Sequence, residues 1–381
     1  MITNSGIAVL VVMVASAIAG FVLGYPEFLM MAAVAAGALL VAGAWLQLTP
    51  DVSITRQVRP ERVTQGEDAF GVLTVTNVSR RRCPPITARE RVGAVSIPVL
   101  VPSLGPGRQA HQEYRIPTTR RGLLEIGPLR IGHSDPLRLV YAVHTRRGKF
   151  LLRVRPLVHP VAPLPIGGSP EIDGPTATNA PRGGVAFHSL REYADGDDLR
   201  LVHWPSTARV GKLMVRQNVV PNDPTMMLVL DTSAGPYADD YFEDAVRVAA
   251  SLAVSGRANN FPVELLTTGG QRVAAGRGTE SVDAALDLLA EVAPSDADPG
   301  LLALASLVPH QSGAVLGVVT GQPPAAALAA VSAVRQRFAM VSLIQVEERL
   351  GRPPQPVAGA LVVNVRTSAE FAAVWASKAH P

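Results

Sequence analysis

The stretch Met226-Met-Leu-Val-Leu-Asp-Thr-Ser-Ala-Gly235, followed by Tyr241-Phe-Glu-Asp-Ala-Val-Arg-Val-Ala-Ala-Ser-Leu-Ala253, decides the fold of the C-terminal half. Five apolar residues in unbroken succession describe a strand buried on both faces. The strand ends on Asp231, and over 241–259 the residues Phe242, Val246, Ala249, Leu252 and Ala253 recur at helical spacing. The alternation continues, with strands predicted at 261–267, 314–319, 340–346 and 361–365 and helices at 280–292, 301–308, 323–338 and 368–377. Buried strands alternating with amphipathic helices predict a mostly parallel, doubly wound α/β domain over 225–381.

At the other end lie two apolar runs. Residues 7–24 are apolar apart from Ser16, and 28–46 follow after Tyr25-Pro26-Glu27. At 1.5 Å per helical residue each run is about long enough to cross a hydrocarbon core of roughly 30 Å. So short a connection makes residues 1–50 a transmembrane helical hairpin with both ends on one side. Trp45 falls at an interfacial depth, and Gly20 and Gly24 are spaced for close helix packing. Basic residues begin only with Arg56, Arg59 and Arg62, whereas the turn carries Glu27. The positive-inside rule therefore places the chain in the cell membrane with its later domains in the cytoplasm. A competing reading is a cleaved signal peptide ending at Ala15-Ser16-Ala17 or Ala17-Ile18-Ala19. Against it stand the lack of a basic stretch before the first run and the presence of the second.

The 381 residues carry 35 Lys plus Arg against 31 Asp plus Glu. Residues 1–50, 51–155, 156–224 and 225–381 hold net charges of −1, +11, −1 and −5, so separate modules are expected. A hydrophobic fraction of 48% and a mean hydropathy of +0.22 exclude a disordered chain. The single cysteine, Cys83, excludes an internal disulfide and fits a reducing compartment. Beside Arg80-Arg-Arg82 it is read as a packing residue whose thiol the Arg run is able to acidify.

Residues 51–155 contain β-rich runs, such as Phe70-Gly-Val-Leu-Thr-Val-Thr76 and Val95-Ser-Ile-Pro-Val-Leu-Val101, with no helical period. They predict a basic, all-β sandwich-like domain. Arg120-Arg-Gly-Leu-Leu-Glu-Ile-Gly-Pro-Leu-Arg-Ile131 is expected to form a hairpin, ahead of the turn opener Ser134-Asp135-Pro136-Leu137. Close beneath a membrane, each basic residue near the surface contributes about 1 kcal/mol of attraction to an anionic leaflet. Arg56, Arg59 and Arg62 are accordingly expected to meet anionic lipid headgroups, the plainer alternative being a solvated Arg-rich surface. Nucleic acid is not expected, since aromatics are sparse and no binding motif occurs. A Pro/Gly-rich linker over 156–183 and a distinct segment over 184–224 precede the α/β domain.

That segment holds the densest polar cluster of the chain, with Arg191, Tyr193, Asp195, Asp197, Asp198, Arg200, His203, Trp204 and Arg209. Arginines interleaved with carboxylates and a Trp suit bidentate ion pairs and guanidinium stacking, either as a structural clasp or as a partner-binding surface. The run Arg191-Glu-Tyr-Ala-Asp-Gly-Asp-Asp-Leu-Arg200, then His203-Trp204, Ala208-Arg209, Gly211-Lys-Leu213 and Val215-Arg216, resembles the signature of the domain of unknown function 58 family. The resemblance implies a C-terminal von Willebrand factor A-like domain. It also implies association with a MoxR-type AAA+ ATPase and a membrane transglutaminase-like protein in assembly or maturation of membrane or envelope proteins of the bacterial cell.

Von Willebrand A domains often bind Mg²⁺ through an Asp-x-Ser-x-Ser loop aided by a Thr and a second Asp. Here the loop reads Asp231-Thr-Ser233-Ala-Gly235, with Gly at the last Ser and Thr320 where the second Asp belongs; Thr267, Thr268 and Thr279 remain candidates for the hydroxyl. The expectation is a degenerate loop and no bound cofactor, with Asp231 and Ser233 capping the next helix or lining a partner surface. No P-loop or His-Glu-x-x-His occurs, and Cys83 has no identifiable base. The leading expectation is thus a non-enzymatic adaptor or scaffold. A metal- or ligand-binding interaction domain comes second, and an envelope enzyme using Asp195, Asp197 and Asp198 third.

Overall fold

The structure is a computed structural model that describes residues 2–47, 51–165, 186–194, 202–219, 225–238, 240–276, 279–309, 314–348 and 356–379. Two compact units divide the chain, one running to Leu157 and taking in Leu289–Val292, the other formed by the rest.

In the first unit, α1 (Asn4–Leu23) and α2 (Pro26–Gln47) form an antiparallel hairpin, each helix long and apolar enough to cross a membrane. Gly24 ends α1 in the left-handed conformation at φ 72°, its N–H reaching the Gly20 carbonyl. Pro26 opens α2, where a missing N–H costs nothing. Gly20 lets the helices approach, since a Cβ there would lie 2.8 Å from Leu29. The far end of α1 is tied down as well. The Thr3 hydroxyl accepts from the Gly6 N–H and donates to the Arg138 carbonyl at 2.6 Å, and the Thr3 N–H donates to the Leu139 carbonyl. Buried Asp135 holds the receiving turn, its carboxylate accepting from the N–H groups of Leu137 and Val140. The Ser134–Leu137 motif therefore builds the seat for the start of α1.

Nine strands follow: β1 (Val52–Arg59), β2 (Arg62–Thr64), β3 (Ala69–Asn77), β4 (Ile86–Val92), β5 (Val95–Val101), β6 (Gln109–Ile116), β7 (Gly122–Ser134), β8 (Tyr141–Arg146) and β9 (Phe150–Arg155). They make two sheets, ordered β1-β3-β6 and β2-β9-β7-β4-β5, with β8 also paired to β7. Period-two burial along β3 and β4 sends Leu73, Val75, Ile86, Ala88 and Val92 into a shared core with Ile116, Ile126 and Leu152. The expected hairpin at 120–131 does not exist, because residues 122–131 lie in one 13-residue strand, β7. The Gly127-Pro128 pair marks a change of partner, from β9 along 122–126 to β8 along 129–134. Gly127 sits at φ 115°, and a Cβ there would come within 2.5 Å of the Gly148 carbonyl oxygen, so only glycine fits.

In the second unit, β10 (Ala186–Glu192), α3 (Trp204–Val210) and β11 (Met214–Val219) form a two-stranded ribbon with a short helix. Next come β12 (Met226–Leu230), α4 (Tyr241–Ala258), β13 (Val263–Thr267), β14 (Arg272–Gly276), α5 (Thr279–Glu291), α6 (Leu304–Leu307), β15 (Val315–Thr320), α7 (Ala325–Val334), β16 (Met340–Val346), β17 (Leu361–Val365) and α8 (Ser368–Ala379). The sheet order is β14-β13-β12-β15-β16-β17, parallel throughout except for the edge strand β14. Met227, Val229, Leu316 and Val318 pack with Leu304, Leu328 and Val331, while α4 and α8 pack against each other. Residues 158–165, placed in the connector by sequence, run along this unit: the Trp375 indole donates to the Ala162 carbonyl at 2.8 Å, and Leu164 is buried. The rest of the expected linker lies outside the described residues.

Candidate functional site

The order of the parallel strands reverses between β12 and β15, and at their carboxyl ends the chain opens a crevice of ≈ 710 Å³ lined by Asp231, Ser233, Pro236, Asp298, Leu301 and Gln322. Ligands of doubly wound sheets bind at such switch points, because the diverging loops leave the strand ends uncovered. The strand β12 delivers Asp231, which is 1% exposed. One carboxylate oxygen accepts from the N–H (3.0 Å) and hydroxyl (2.6 Å) of Ser233, and the other from the Thr320 hydroxyl at 2.8 Å.

A second carboxylate converges from the loop after α5. Asp298 accepts from the hydroxyls of Thr232 and Thr268, the latter at 2.7 Å, and from the Gly300 N–H at 2.8 Å. Thr268, just past β13, also accepts from the Thr232 N–H and lies 3.4 Å from Asp231. Two acids and four hydroxyls thus form one network. The Tyr237 hydroxyl donates to the Asp231 carbonyl at 2.7 Å, and burial with the nearby Asp231 carboxylate pushes its pKa well above the ordinary phenol value, so it stays a donor.

Of the three threonines left open by sequence, Thr268 is the one at the site. The hydroxyl of Thr267 is turned to the Gln271 N–H, and Thr279 opens α5. Thr320, at the position of the absent acid, bonds Asp231, while Asp298 brings a carboxylate that sequence reasoning missed. Nor do Asp231 and Ser233 cap the next helix. They close a turn on each other, and α4 begins ten residues beyond Asp231, after Asp240.

The other cluster is described only in part. Asp195, Asp197, Asp198 and Arg200 lie outside the described residues. The backbone of Arg191 pairs with Val215, and the Tyr193 N–H donates to the Leu213 carbonyl. The His203 ring meets the Ser206 hydroxyl at 2.8 Å, Trp204 is 66% exposed, and Arg209 is exposed in the last turn of α3, a helix in which no residue is buried. Of the three arginines expected to meet lipid headgroups, Arg59 and Arg62 are exposed but Arg56 is not. Its side chain is 11% exposed and pairs with Glu90 at 2.6 Å, because position 56 shares the inward face of β1 with Val52 and Val58. The Cys83 thiol is buried and donates to the Pro84 carbonyl; burial raises its pKa, the reverse of the acidification expected from its Arg neighbours.

With this geometry in place, the chain can be compared with known families. Residues 189–370 match the protein family of unknown function DUF58. The matched region takes in the ribbon from Ser189 onward and all six strands of the α/β sheet, with both Asp231 and Asp298. No curated protein matches the chain. Similar solved structures include the CARDB domain of the PF1109 protein from Pyrococcus furiosus, at 18% identity and TM-score 0.23, covering 28% of this chain and 94% of that one. The putative ApaA protein from Bordetella pertussis follows at 14% identity and 0.22, covering 28% and 95%. Cwp6 from Clostridium difficile, at 11% identity and 0.19, covers 77% and 37%. These likenesses are too weak to bear on fold or function.

Proposed function

We propose that the chain is a membrane-anchored, cytoplasm-facing adaptor whose von Willebrand A-like domain and DUF58 signature segment engage a MoxR-type AAA+ ATPase. Its task would be assembly or maturation of membrane or envelope proteins, with a membrane transglutaminase-like protein as a further partner. The observation that carries this reading is α3. A helix that buries none of its own residues draws little packing from its own fold, and the largest apolar side chain it exposes, Trp204, is of the kind that anchors interfaces. The membrane anchor is supported by α1 and α2, and the domain type by the sheet order with its antiparallel edge strand and by the Asp231 loop at its switch point.

Full-length protein in detergent is expected to capture the MoxR-type ATPase of the same organism, and Trp204→Ala to weaken capture at least tenfold, about 1.4 kcal/mol. A wild-type protein that captures no ATPase, with or without nucleotide, would sink the adaptor reading.

The convergence of Asp231 and Asp298 favours a second reading, a divalent-metal site. Carboxylate and hydroxyl oxygens are the hard donors that Mg²⁺ takes, and Asp231, Ser233, Thr268, Asp298 and Thr320 would hold it. An ion there would offer an open coordination position to a partner carboxylate. The residues present fit in kind, although each acid is already compensated by hydroxyl and amide donors. Calorimetry with Mg²⁺ or Mn²⁺ is expected to show saturable heat that Asp298→Asn abolishes; no heat and no change in melting for wild type would exclude the ion.

A further inference from the structure

The β-sandwich holds a second cavity, of ≈ 490 Å³, between the start of β1 and the loop that joins β8 to β9. Ser53, Thr55, Arg56, Arg146, Lys149 and Phe150 supply its polar and aromatic lining, and no carboxylate is among the lining residues. The Arg56 guanidinium is fixed in it from several sides. One nitrogen donates to Glu90 at 2.6 Å, another to the Gly148 carbonyl at 2.7 Å, and the group lies 5.7 Å from the centre of the Phe150 ring. Its Nε has no hydrogen-bond partner among the described residues.

At the mouth the cations are held loosely. Arg146 reaches the Val52 carbonyl at 3.5 Å, and Lys149 pairs with Glu125 across solvent, both side chains well exposed. Such an exposed pair holds Lys149 weakly, so it is free to turn to a stronger anion. Two arginines and a lysine around one cavity match the oxygens of a phosphate, which accept several charge-assisted hydrogen bonds at once.

We propose that this pocket binds a phosphate-ester anion, with Arg146 and Lys149 engaging its oxygens and Arg56, held by Glu90, forming the fixed floor. The site is set in the β-domain and stands apart from the adaptor reading. Two sources offer this chemistry. Ser53 lies six residues beyond Gln47, the last residue of α2, so a fully extended chain places it within about 22 Å of the helix end, within reach of lipid headgroups. A soluble phosphate compound presents the same oxygens.

The test uses full-length protein in a neutral detergent, titrated by calorimetry with inorganic phosphate and, separately, with mixed micelles containing phosphatidylglycerol. Arg146→Glu/Lys149→Glu removes the proposed ligands. Arg80→Glu/Arg82→Glu makes the same charge change on an exposed turn none of whose residues lines the pocket. Saturable phosphate binding, weakened at least tenfold by the first pair and less than twofold by the second, supports the site and assigns a soluble ligand. The same pattern seen only with phosphatidylglycerol supports it and assigns a headgroup. Failure of both ligands to saturate wild type, or equal losses in the two double variants, overturns it.

Discussion

Replacing Glu90 by alanine is expected to cost the β-domain about 3–5 kcal/mol, the usual penalty for stripping one member from a buried ion pair. Glu90 is fully buried, and without it the Arg56 guanidinium keeps only the Gly148 carbonyl and the Phe150 face. Hydrogen exchange at the β3 and β4 amides of full-length protein would reveal the loss, and protection equal to wild type would refute it. Removing both charges in Arg56→Met/Glu90→Leu is expected to recover most of the stability, because paired desolvation offsets most of the attraction.

Acidity supplies a further check on the same pair. Burial raises the Glu90 pKa, and the Arg56 charge partly opposes the rise. A carboxyl with a raised folded pKa stabilises the fold fully below its ordinary pKa, near 4.3, and that contribution is lost as pH climbs through the folded value. In Arg56→Met the opposing charge is gone, so the window widens upward. That variant is expected to gain melting temperature relative to wild type when pH is lowered from neutrality toward about 5, above the ordinary carboxyl range. A pH-independent difference would show that Arg56 does not tune the carboxyl.

The second large effect concerns the crevice. Asp231→Ala removes the acceptor of the Ser233 N–H and of the Ser233 and Thr320 hydroxyls in a nearly sealed place, at about 1–3 kcal/mol for each buried group left unpaired. A total near 3 kcal/mol is expected, since Ser233 is half-exposed and regains water. Asp231→Asn keeps the shape and an acceptor, so denaturant melting should find it at least twofold less destabilised. Equal losses would mean that charge, and not satisfied geometry, holds the network together.

How much of this was legible beforehand depended on distance along the chain. The two apolar helices and the alternation of the α/β domain are local patterns, and Asp231 was found because a strand that ends on a carboxylate is visible in ten residues. Asp298 was not, because Ser295-Asp-Ala-Asp-Pro-Gly300 reads as an ordinary turn and its partners Thr232 and Thr268 lie 66 and 30 residues away. The Arg56–Glu90 pair did leave a signal. Arg56 falls in phase with Val52 and Val58, and Glu90 with Ile86, Ala88 and Val92, so period-two counting places both charges inward. Reading the arginine by its nearness to the membrane overrode that count. The hairpin at 120–131 failed for a related reason: Gly-Pro is turn chemistry in isolation, yet with strands paired on either side it became the point where β7 exchanges one neighbour for another.

The seat of Thr3 on the carbonyls of Arg138 and Leu139 bears on how force passes between the β-domain and the helical hairpin. A domain hung from one tether swivels, and a pull on it spends itself in the tether. Here the hairpin is gripped at both of its open ends, by chain continuity where α2 leads toward β1 and by the bonds of Thr3 at the start of α1. A torque applied to the β-domain would therefore be delivered to the two helices as a rotation of the pair. The helix pair behaves as a bracket fixed by two bolts.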